Sequence, residues 1–205
     1  MPVIVVANPK GGVGKSTLSS NIAGYLARKG RTVMLGDIDR QQSSRNWLRQ
    51  RPGDMPRILS WEIDAENVSR PPRGATHVVL DTPAGLHGKK LARVLQQADK
   101  VLIPLQASMF DINPTIEFIK EVGSLHHEGR LELAVVGNRV RDNTTAADRL
   151  KEFLDTLDVP ALTILRDTQN YVHLSAHGLT LWDVMPHQVS KDLEEWAPIL
   201  NWLKV

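Results

Sequence analysis

The sequence of 205 residues contains no cysteine. Its absence excludes a disulfide scaffold, an iron–sulfur cluster, a cysteine nucleophile and a thiolate zinc site. The chain also lacks an apolar run of the roughly 18 to 20 residues that a membrane-spanning helix needs. The N-terminal stretch has no basic region ahead of its apolar residues and no small-residue cleavage site. We therefore expect no secretion signal and a cytoplasmic protein.

The charge is nearly balanced overall but unevenly distributed along the chain. Hydrophobic residues make up 41% and charged residues 23% of the chain, and the net charge is +2. This balance is typical of a globular protein, and we expect one domain over residues 1–205. Residues 1–75 carry 12 basic and 6 acidic side chains, whereas residues 76–205 carry 13 and 17. A solvated arginine-rich surface explains this excess most simply, and a polyanionic partner is the alternative.

Apolar runs rich in Val, Ile and Leu alternate with longer amphipathic stretches. This alternation predicts an α/β fold in which helices flank a mostly parallel central sheet. The predicted strands cover residues 2–7, 32–36, 77–80, 101–105, 133–136 and 161–165. The predicted helices cover residues 16–29, 42–51, 86–97, 114–127, 145–157, 169–177 and 190–203. Residues 52–74 hold four prolines and are predicted to be loops around a short strand at 58–61.

A glycine-rich loop between the first strand and the first helix indicates a phosphate-binding site. It reads Lys10-Gly-Gly-Val-Gly-Lys15-Ser16-Thr17. Its glycines let backbone N–H groups approach phosphate oxygens, and the following helix N-terminus favours the negative charge. The residues expected to bind nucleotide here are Gly11, Gly12, Val13, Gly14, Lys15, Ser16 and Thr17. Lys15 would neutralise the β- and γ-phosphates, the Ser16 hydroxyl would bind Mg²⁺, and Thr17 would reach the α-phosphate.

The loop departs from the standard phosphate-loop pattern, because the first glycine of that pattern would fall at Pro9. It fits the deviant form Lys-Gly-Gly-x-Gly-Lys-[Ser/Thr], and in this it resembles the ParA/MinD family of deviant Walker ATPases. The resemblance is to short ParA-type partition proteins without an N-terminal DNA-binding domain. It implies that Lys10 crosses an ATP-bound dimer to the phosphates of the partner's nucleotide. A solvated loop lysine is the alternative interpretation of Lys10.

Three aspartates follow predicted strands in positions that resemble further motifs of this family. Met34-Leu-Gly-Asp37-Ile-Asp39 resembles the motif after the second strand, although Arg40 stands where the family often has proline. The resemblance implies that Asp39 orients the attacking water and lies near Mg²⁺, and that Asp37 shapes the phosphate end. Two aspartates that merely end a strand are the alternative.

The stretch Val78-Val-Leu-Asp81-Thr-Pro-Ala-Gly85 resembles a Walker B motif followed by a switch loop. Asp81 would hold Mg²⁺ through a water, and the N–H of Gly85 would contact the γ-phosphate before hydrolysis. The loop would then distinguish ATP from ADP.

Two residues of the C-terminal half are expected to border the adenine. Asn138 ends the strand Val135-Val-Gly-Asn138, and in the related ATPases an asparagine here hydrogen-bonds the base. Its amide both donates and accepts. A turn-capping asparagine is the alternative. Arg166 begins a stretch that resembles the family's segment after the last strand, which indicates that it lies near the base.

Residues 28–73 carry ten lysines and arginines against six acids. The resemblance implies ATP-dependent, sequence-independent DNA binding, which works by neutralising the phosphate backbone. The candidate DNA contacts are Arg45, Arg49, Arg139 and Arg141. Because the phosphate loop starts so near Met1, we expect no operator-specific repression.

These expectations describe a partition ATPase that uses ATP and Mg²⁺. It would form an ATP-bound homodimer on nucleoid DNA, and a ParB-like adaptor attached to a cargo would stimulate its slow hydrolysis. The first alternative is a MinD-like ATPase that cycles on membranes. Helix 190–203 argues against it because acids outnumber bases there, so we expect this helix to pack on the domain. The second alternative is a metabolic phosphate-loop ligase or a metal-cluster carrier, and the absence of cysteine weighs against the carrier.

Overall fold

A computed structural model describes residues 1–63, 71, 73–125 and 131–204. In this part of the chain the strands are β1 Val3–Val6, β2 Val33–Asp37, β3 Ile58–Trp61, β4 His77–Asp81, β5 Lys100–Leu105, β6 Glu132–Val140 and β7 Ala161–Arg166. The helices are α1 Lys15–Arg28, α2 Ser43–Gln50, α3 Gly88–Leu95, α4 Met109–Leu125, α5 Thr145–Leu154, α6 Gln169–Ala176 and α7 Ser190–Leu203. Two single-turn 3₁₀ helices, Leu181–Asp183 and Pro186–Gln188, connect α6 to α7.

The described strands form one seven-stranded sheet in the order β3-β2-β4-β1-β5-β6-β7. Every neighbouring pair runs parallel, which confirms the predicted α/β fold. The strand order reverses at β1, which lies between β4 and β5. In such sheets ligands bind outside the carboxyl ends of the strands, at the point of reversal. The register pairs Asp37 with Asp81, so these two predicted site residues end adjacent strands.

Both faces of the sheet are covered by helices, and this explains the continuous apolar character of its strands. In β1 the side chains of Val3 and Val5 pack into one buried cluster, and those of Ile4 and Val6 pack into the other. The first cluster is completed by α3, α4 and α5, and the second by α1, α2 and α7. The alternation along β1 therefore buries every side chain of the strand.

Two predicted helix starts are wrong. Helix α4 begins at Met109, five residues before the predicted start at Pro114, so the proline lies inside the helix. A proline in a helix removes one backbone hydrogen bond but does not always end the helix. The predicted end of this helix, at residues 126–127, lies outside the described residues. Helix α3 begins at Gly88 instead of residue 86, because His87 has an extended backbone and forms the N-cap of the helix.

Strand β6 extends four residues beyond its predicted end and reaches Val140. Its pairing with β7 shifts register between Gly137 and Val140, and Arg139 has a positive φ of 54°. This irregularity is a β-bulge, which re-aims side chains at the end of a strand. Strand β3 at 58–61 agrees with prediction, whereas residues 64–70 and 72 of the neighbouring predicted loops lie outside the described residues.

The C-terminal helix α7 packs against the domain, as predicted. Trp196 and Ile199 are fully buried, and Leu203 is nearly so. The helix continues through Pro198. None of the helices in the described part of the chain is long and apolar enough to cross a membrane.

Candidate nucleotide-binding site

The glycine-rich loop joins β1 to α1 at the carboxyl edge of the sheet. Gly12 and Gly14 adopt φ values of 76° and 94°, which side-chain-bearing residues rarely adopt. Lys15 is the first residue of α1 and is buried. The predicted strand–loop–helix arrangement is therefore present, with backbone amides of the loop at the positive end of α1.

Two side chains hold carbonyl groups of this loop, one from its own end and one from β6. The ammonium of Lys15 donates to the Lys10 carbonyl at 2.6 Å. The side-chain amide of Asn138 donates to the Val13 carbonyl at 2.8 Å, and Asn138 is buried. Asn138 thus lies against the loop at the predicted site. Its contact with adenine stays a prediction, and its carbonyl oxygen is the atom that would accept from the base.

The Gly12 carbonyl accepts two further hydrogen bonds. Gln106, just after β5, donates from Nε2 at 3.2 Å, and Arg139 donates from Nη1 at 3.1 Å. Gln106 was not among the predicted site residues, and Arg139 was predicted to contact DNA. No sequence motif could have indicated either contact, because Gln106 and Arg139 both lie more than ninety residues from Gly12 in the chain.

Asp81 is a buried carboxylate at the end of β4, close to the phosphate loop. Neither of its oxygens has a hydrogen-bond partner among the described residues. Its pKa is raised to about 7: burial is the largest cause and the neighbouring Asp37 carboxylate adds to the rise, while the hydroxyls of Ser16 and Ser44 and the Lys15 ammonium oppose it. An orphaned buried carboxylate is costly unless a cation or water satisfies it. The site therefore fits a hydrated Mg²⁺ between Asp81 and the Ser16 hydroxyl.

Lys15 is the cation nearest to this carboxylate. Burial lowers the pKa of its ammonium, and the charges of Asp81 and Asp39 partly restore it. Burial removes the water that stabilises the charge of an ammonium group, and a bound anion stabilises that charge instead. This arrangement suits a polyphosphate.

Asp37 organises the start of α2 and the segment that carries Asp39. One of its oxygens accepts from the N–H and hydroxyl of Ser44, each at 3.0 Å, and from the N–H of Arg45 at 3.2 Å. The other accepts from the N–H of Asp39 at 3.0 Å. Asp37 therefore acts in this structure as a helix-capping and positioning residue.

Asp39 is half-buried and lines a cavity of about 370 Å³ on the phosphate loop. One of its oxygens accepts from the N–H of Gln41 at 2.9 Å, which holds the carboxylate in place. The cavity is also lined by glycines of the loop, Lys15 and Ser16. Asp39 thus faces the space where a terminal phosphate and its attacking water would lie.

The loop after β4 is fastened to the phosphate loop. The hydroxyl of Thr82 donates to the Val6 carbonyl at 2.9 Å, and the N–H of Gly85 donates to the Pro9 carbonyl at 2.8 Å. The Gly85 N–H is the group predicted to contact the γ-phosphate. In this conformation that donor is already used, so the predicted contact requires the bond to Pro9 to break.

A second cavity, of about 620 Å³, adjoins the phosphate loop on the side of β6 and β7. Its lining residues include Thr17, Gln106, Ser108, Asn138, Arg139, Thr168 and Tyr171. It matches the region predicted to border the adenine.

Arg166 is held away from this space by α7. Its Nε donates to Asp192 at 2.7 Å, and its N–H donates to Glu195 at 2.9 Å. Asp167 and Thr168 are the residues of this segment that line the cavity. Contact of Arg166 with the base remains a prediction without support from this geometry.

The four candidate DNA-binding arginines do not form one surface. Each has a polar partner: Arg45 with Glu62, Arg49 with Asn46, Arg139 with the Gly12 carbonyl, and Arg141 with Asp167. Arg45 and Arg49 line a cavity of about 570 Å³ between α2 and β3. Arg139 and Arg141 line the cavity beside the phosphate loop.

The sequence matches the family described as the CobQ/CobB/MinD/ParA nucleotide binding domain over residues 4–181. The chain is 28% identical over 166 residues to the maintenance of carboxysome distribution protein A of Halothiobacillus neapolitanus, a match covering 78% of this chain and 76% of that protein. The protein of the same name in Gloeobacter kilaueensis is 36% identical over 119 residues, or 57% of this chain and 55% of the relative. A Borrelia burgdorferi structure, solved as a plasmid partition protein with bound AMPPNP, superposes with a TM-score of 0.76. It is 19% identical and covers 98% of both chains, so it shows the shared fold.

Proposed function

Since the chain belongs to the CobQ/CobB/MinD/ParA family, whose ParA and MinD members are P-loop positioning ATPases, we propose that it is a Mg²⁺-dependent ATPase of the ParA type. The observation that carries the proposal is the deviant phosphate loop at the point where the strand order reverses. Asp39 lines the cavity on this loop, and the orphaned carboxylate of Asp81 is buried at the end of β4.

Each residue of the site has a task in the proposed hydrolysis. Backbone amides of the loop and the Lys15 ammonium bind the β- and γ-phosphates. Ser16 and, through water, Asp81 hold Mg²⁺ beside Asp39, and the bound ion neutralises charge on the phosphate oxygens. Asp39 orients a water towards the γ-phosphorus and accepts its proton.

Lys10 is the residue that makes hydrolysis depend on dimerisation in this proposal. Its N–H donates to the Asn8 side chain at 2.8 Å and its carbonyl accepts from Lys15, so its backbone is fixed at the rim of the site. Two chains facing each other across bound ATP would each insert Lys10 towards the partner's phosphates. A second cation there would stabilise the charge that develops during phosphoryl transfer.

The ATP-bound dimer is proposed to bind DNA without sequence preference and to position a cargo through a ParB-like partner. The basic excess in residues 1–75 supports a positively charged surface that binds a polyanion, and Arg45 and Arg49 contribute to it. A relative named for carboxysome distribution and another named ParA support a protein assembly or a plasmid as cargo. The apolar face of α7 is buried against the domain, where it cannot insert into a membrane. This favours DNA over a membrane as the surface on which the ATPase moves.

The test combines ATP turnover with dimerisation, using Lys10→Ala and Asp39→Ala. We expect magnesium-dependent ATP hydrolysis that Lys10→Ala reduces roughly 100-fold, the range typical for loss of one charge-stabilising group. Asp39→Ala should hydrolyse slowly yet accumulate as an ATP-bound dimer on DNA at low salt. Lys151→Ala, which removes an exposed lysine of α5, serves as the matched control.

Three results would contradict the proposal. Undiminished turnover and dimerisation of Lys10→Ala would refute the role of the deviant lysine. ATP-dependent binding to liposomes without binding to DNA would favour the MinD-like alternative. Turnover that requires a specific small-molecule acceptor would indicate a metabolic ligase.

A further inference from the structure

Arg139 adopts a backbone conformation that arginine rarely holds. Its φ of 54° lies in the left-handed region, which costs energy for any residue with a Cβ, and it interrupts the pairing of β6 with β7. Glycine or asparagine would hold this conformation at lower cost. Strained residues of this kind persist where the side chain is used, so the position points to a function for the guanidinium.

The bulge directs two consecutive side chains towards the same target. In a regular strand, successive side chains point to opposite faces of the sheet. Here Asn138 donates to the Val13 carbonyl at 2.8 Å and Arg139 donates to the adjacent Gly12 carbonyl at 3.1 Å. The strained backbone therefore brings the Arg139 guanidinium to the phosphate loop.

Arg139 also lies where two cavities meet. Thr17 and Arg139 line both the cavity of about 370 Å³ on the phosphate loop and the cavity of about 620 Å³ beside it. A nucleotide with its terminal phosphates in the first and its base in the second would pass beside these two residues. The part of the nucleotide at this junction is the phosphate next to the ribose.

The guanidinium of Arg139 carries a charge that no carboxylate of the described residues neutralises. By contrast, Arg141, two residues further on, forms an ion pair with Asp167 at 3.1 Å. A guanidinium presents five N–H donors in a planar fork, and one of them is used by the Gly12 carbonyl. The others are available to a phosphate, which is the anion this fork matches best.

We propose that Arg139 is a nucleotide-binding residue that contacts the α-phosphate at the junction it shares with Thr17, and that it is not a DNA contact. The assignment rests on the proposed nucleotide-binding function and adds a residue to that site. The bulge in β6 then exists to deliver this side chain, and Gly12 holds it in place before the ligand arrives.

The test measures binding of a fluorescent ADP analogue to the full chain, to three variants of Arg139 and to one control variant. Arg139→Ala should weaken ADP binding roughly 10- to 100-fold, as expected for loss of a charge-assisted hydrogen bond. Arg139→Gln retains a donor for the Gly12 carbonyl but has no charge, so it should be nearly as weak. Arg139→Gly removes both strain and side chain, so it should weaken ADP binding while its thermal midpoint stays equal or rises. Arg149→Ala, which removes an exposed arginine of α5, should bind ADP like the wild type.

The outcomes separate the alternatives. If Arg139→Gln binds ADP like the wild type, the arginine only supports the loop and the inference fails. If all three variants bind ADP normally but lose DNA at saturating ATP, Arg139 is a DNA contact and the inference also fails. If the wild-type chain itself does not bind ADP or ATP, the proposed function fails and this inference fails with it.

Discussion

Replacing Gly14 with alanine should destabilise the protein much more than the same change at Gly12. Both glycines have positive φ, so each alanine carries a backbone cost of about 1–2 kcal/mol. A Cβ at position 14 would lie 2.1 Å from Nδ2 of Asn138, whereas a Cβ at position 12 would meet nothing within 4 Å. Only the first substitution therefore displaces a neighbouring side chain.

The additional cost at position 14 follows from the contact that is lost. Moving Asn138 breaks its hydrogen bond to the Val13 carbonyl and leaves buried polar groups unsatisfied, at about 1–3 kcal/mol. We expect Gly14→Ala to lower the free energy of unfolding by about 2–5 kcal/mol in total, and Gly12→Ala by about 1–2 kcal/mol. Urea denaturation of nucleotide-free protein, followed by circular dichroism, measures both values.

A double-mutant cycle with Asn138→Ala tests the stated cause. In that background the extra cost of Gly14→Ala over Gly12→Ala should disappear, because the clashing amide is absent. Equal destabilisation by the two single substitutions would refute the reasoning, since it would mean that Asn138 does not contact the loop as described.

Three further substitutions test the contacts around the site. Asp37→Ala removes the acceptor of two amides of α2 and one in the Asp39 segment, so it should lower stability by about 1–3 kcal/mol and reduce ATP turnover. Lys100→Met removes a buried ammonium bonded to a carbonyl of α7, and should cost about 1–3 kcal/mol in urea denaturation, whereas the exposed Lys204→Met should change little. Burial alone would raise the pKa of Asp183, but the bidentate ion pair with Arg51 lowers it. Stability from this pair should therefore be present above the ordinary aspartate pKa and disappear as the pH falls below about 4, a loss that Asp183→Asn should not show.

Much of the sheet was predictable because its strands are buried on both faces. The runs at Val3–Val6 and Lys100–Leu105 are almost wholly apolar, a pattern that parallel strands between two helical layers require. The phosphate loop was predictable for a different reason. Its glycines and the lysine that begins α1 are neighbours in the chain, so a short sequence motif is enough to predict the local backbone conformation.

The bounds of α4 and β6 were not predictable in the same way. Pro114 favours the first turn of a helix, which placed the predicted start there. In the structure Pro114 lies inside the helix. The burial of Phe118 and Val122 in the core stabilises the helix more than the loss of one backbone hydrogen bond at the proline destabilises it. In β6, no local propensity favours a left-handed arginine, so the bulge depends on contacts with the distant phosphate loop.

The conformation of the phosphate loop depends on side chains from the other half of the protein. Its amides can point towards a phosphate only if its carbonyls point outward and are satisfied there. Gln106 and Arg139 satisfy the Gly12 carbonyl, and Asn138 satisfies that of Val13. The same three side chains line the larger cavity, where the base is expected. A ligand that moves any of them therefore alters the loop as well, so the base and phosphate halves of the site form one cooperative unit.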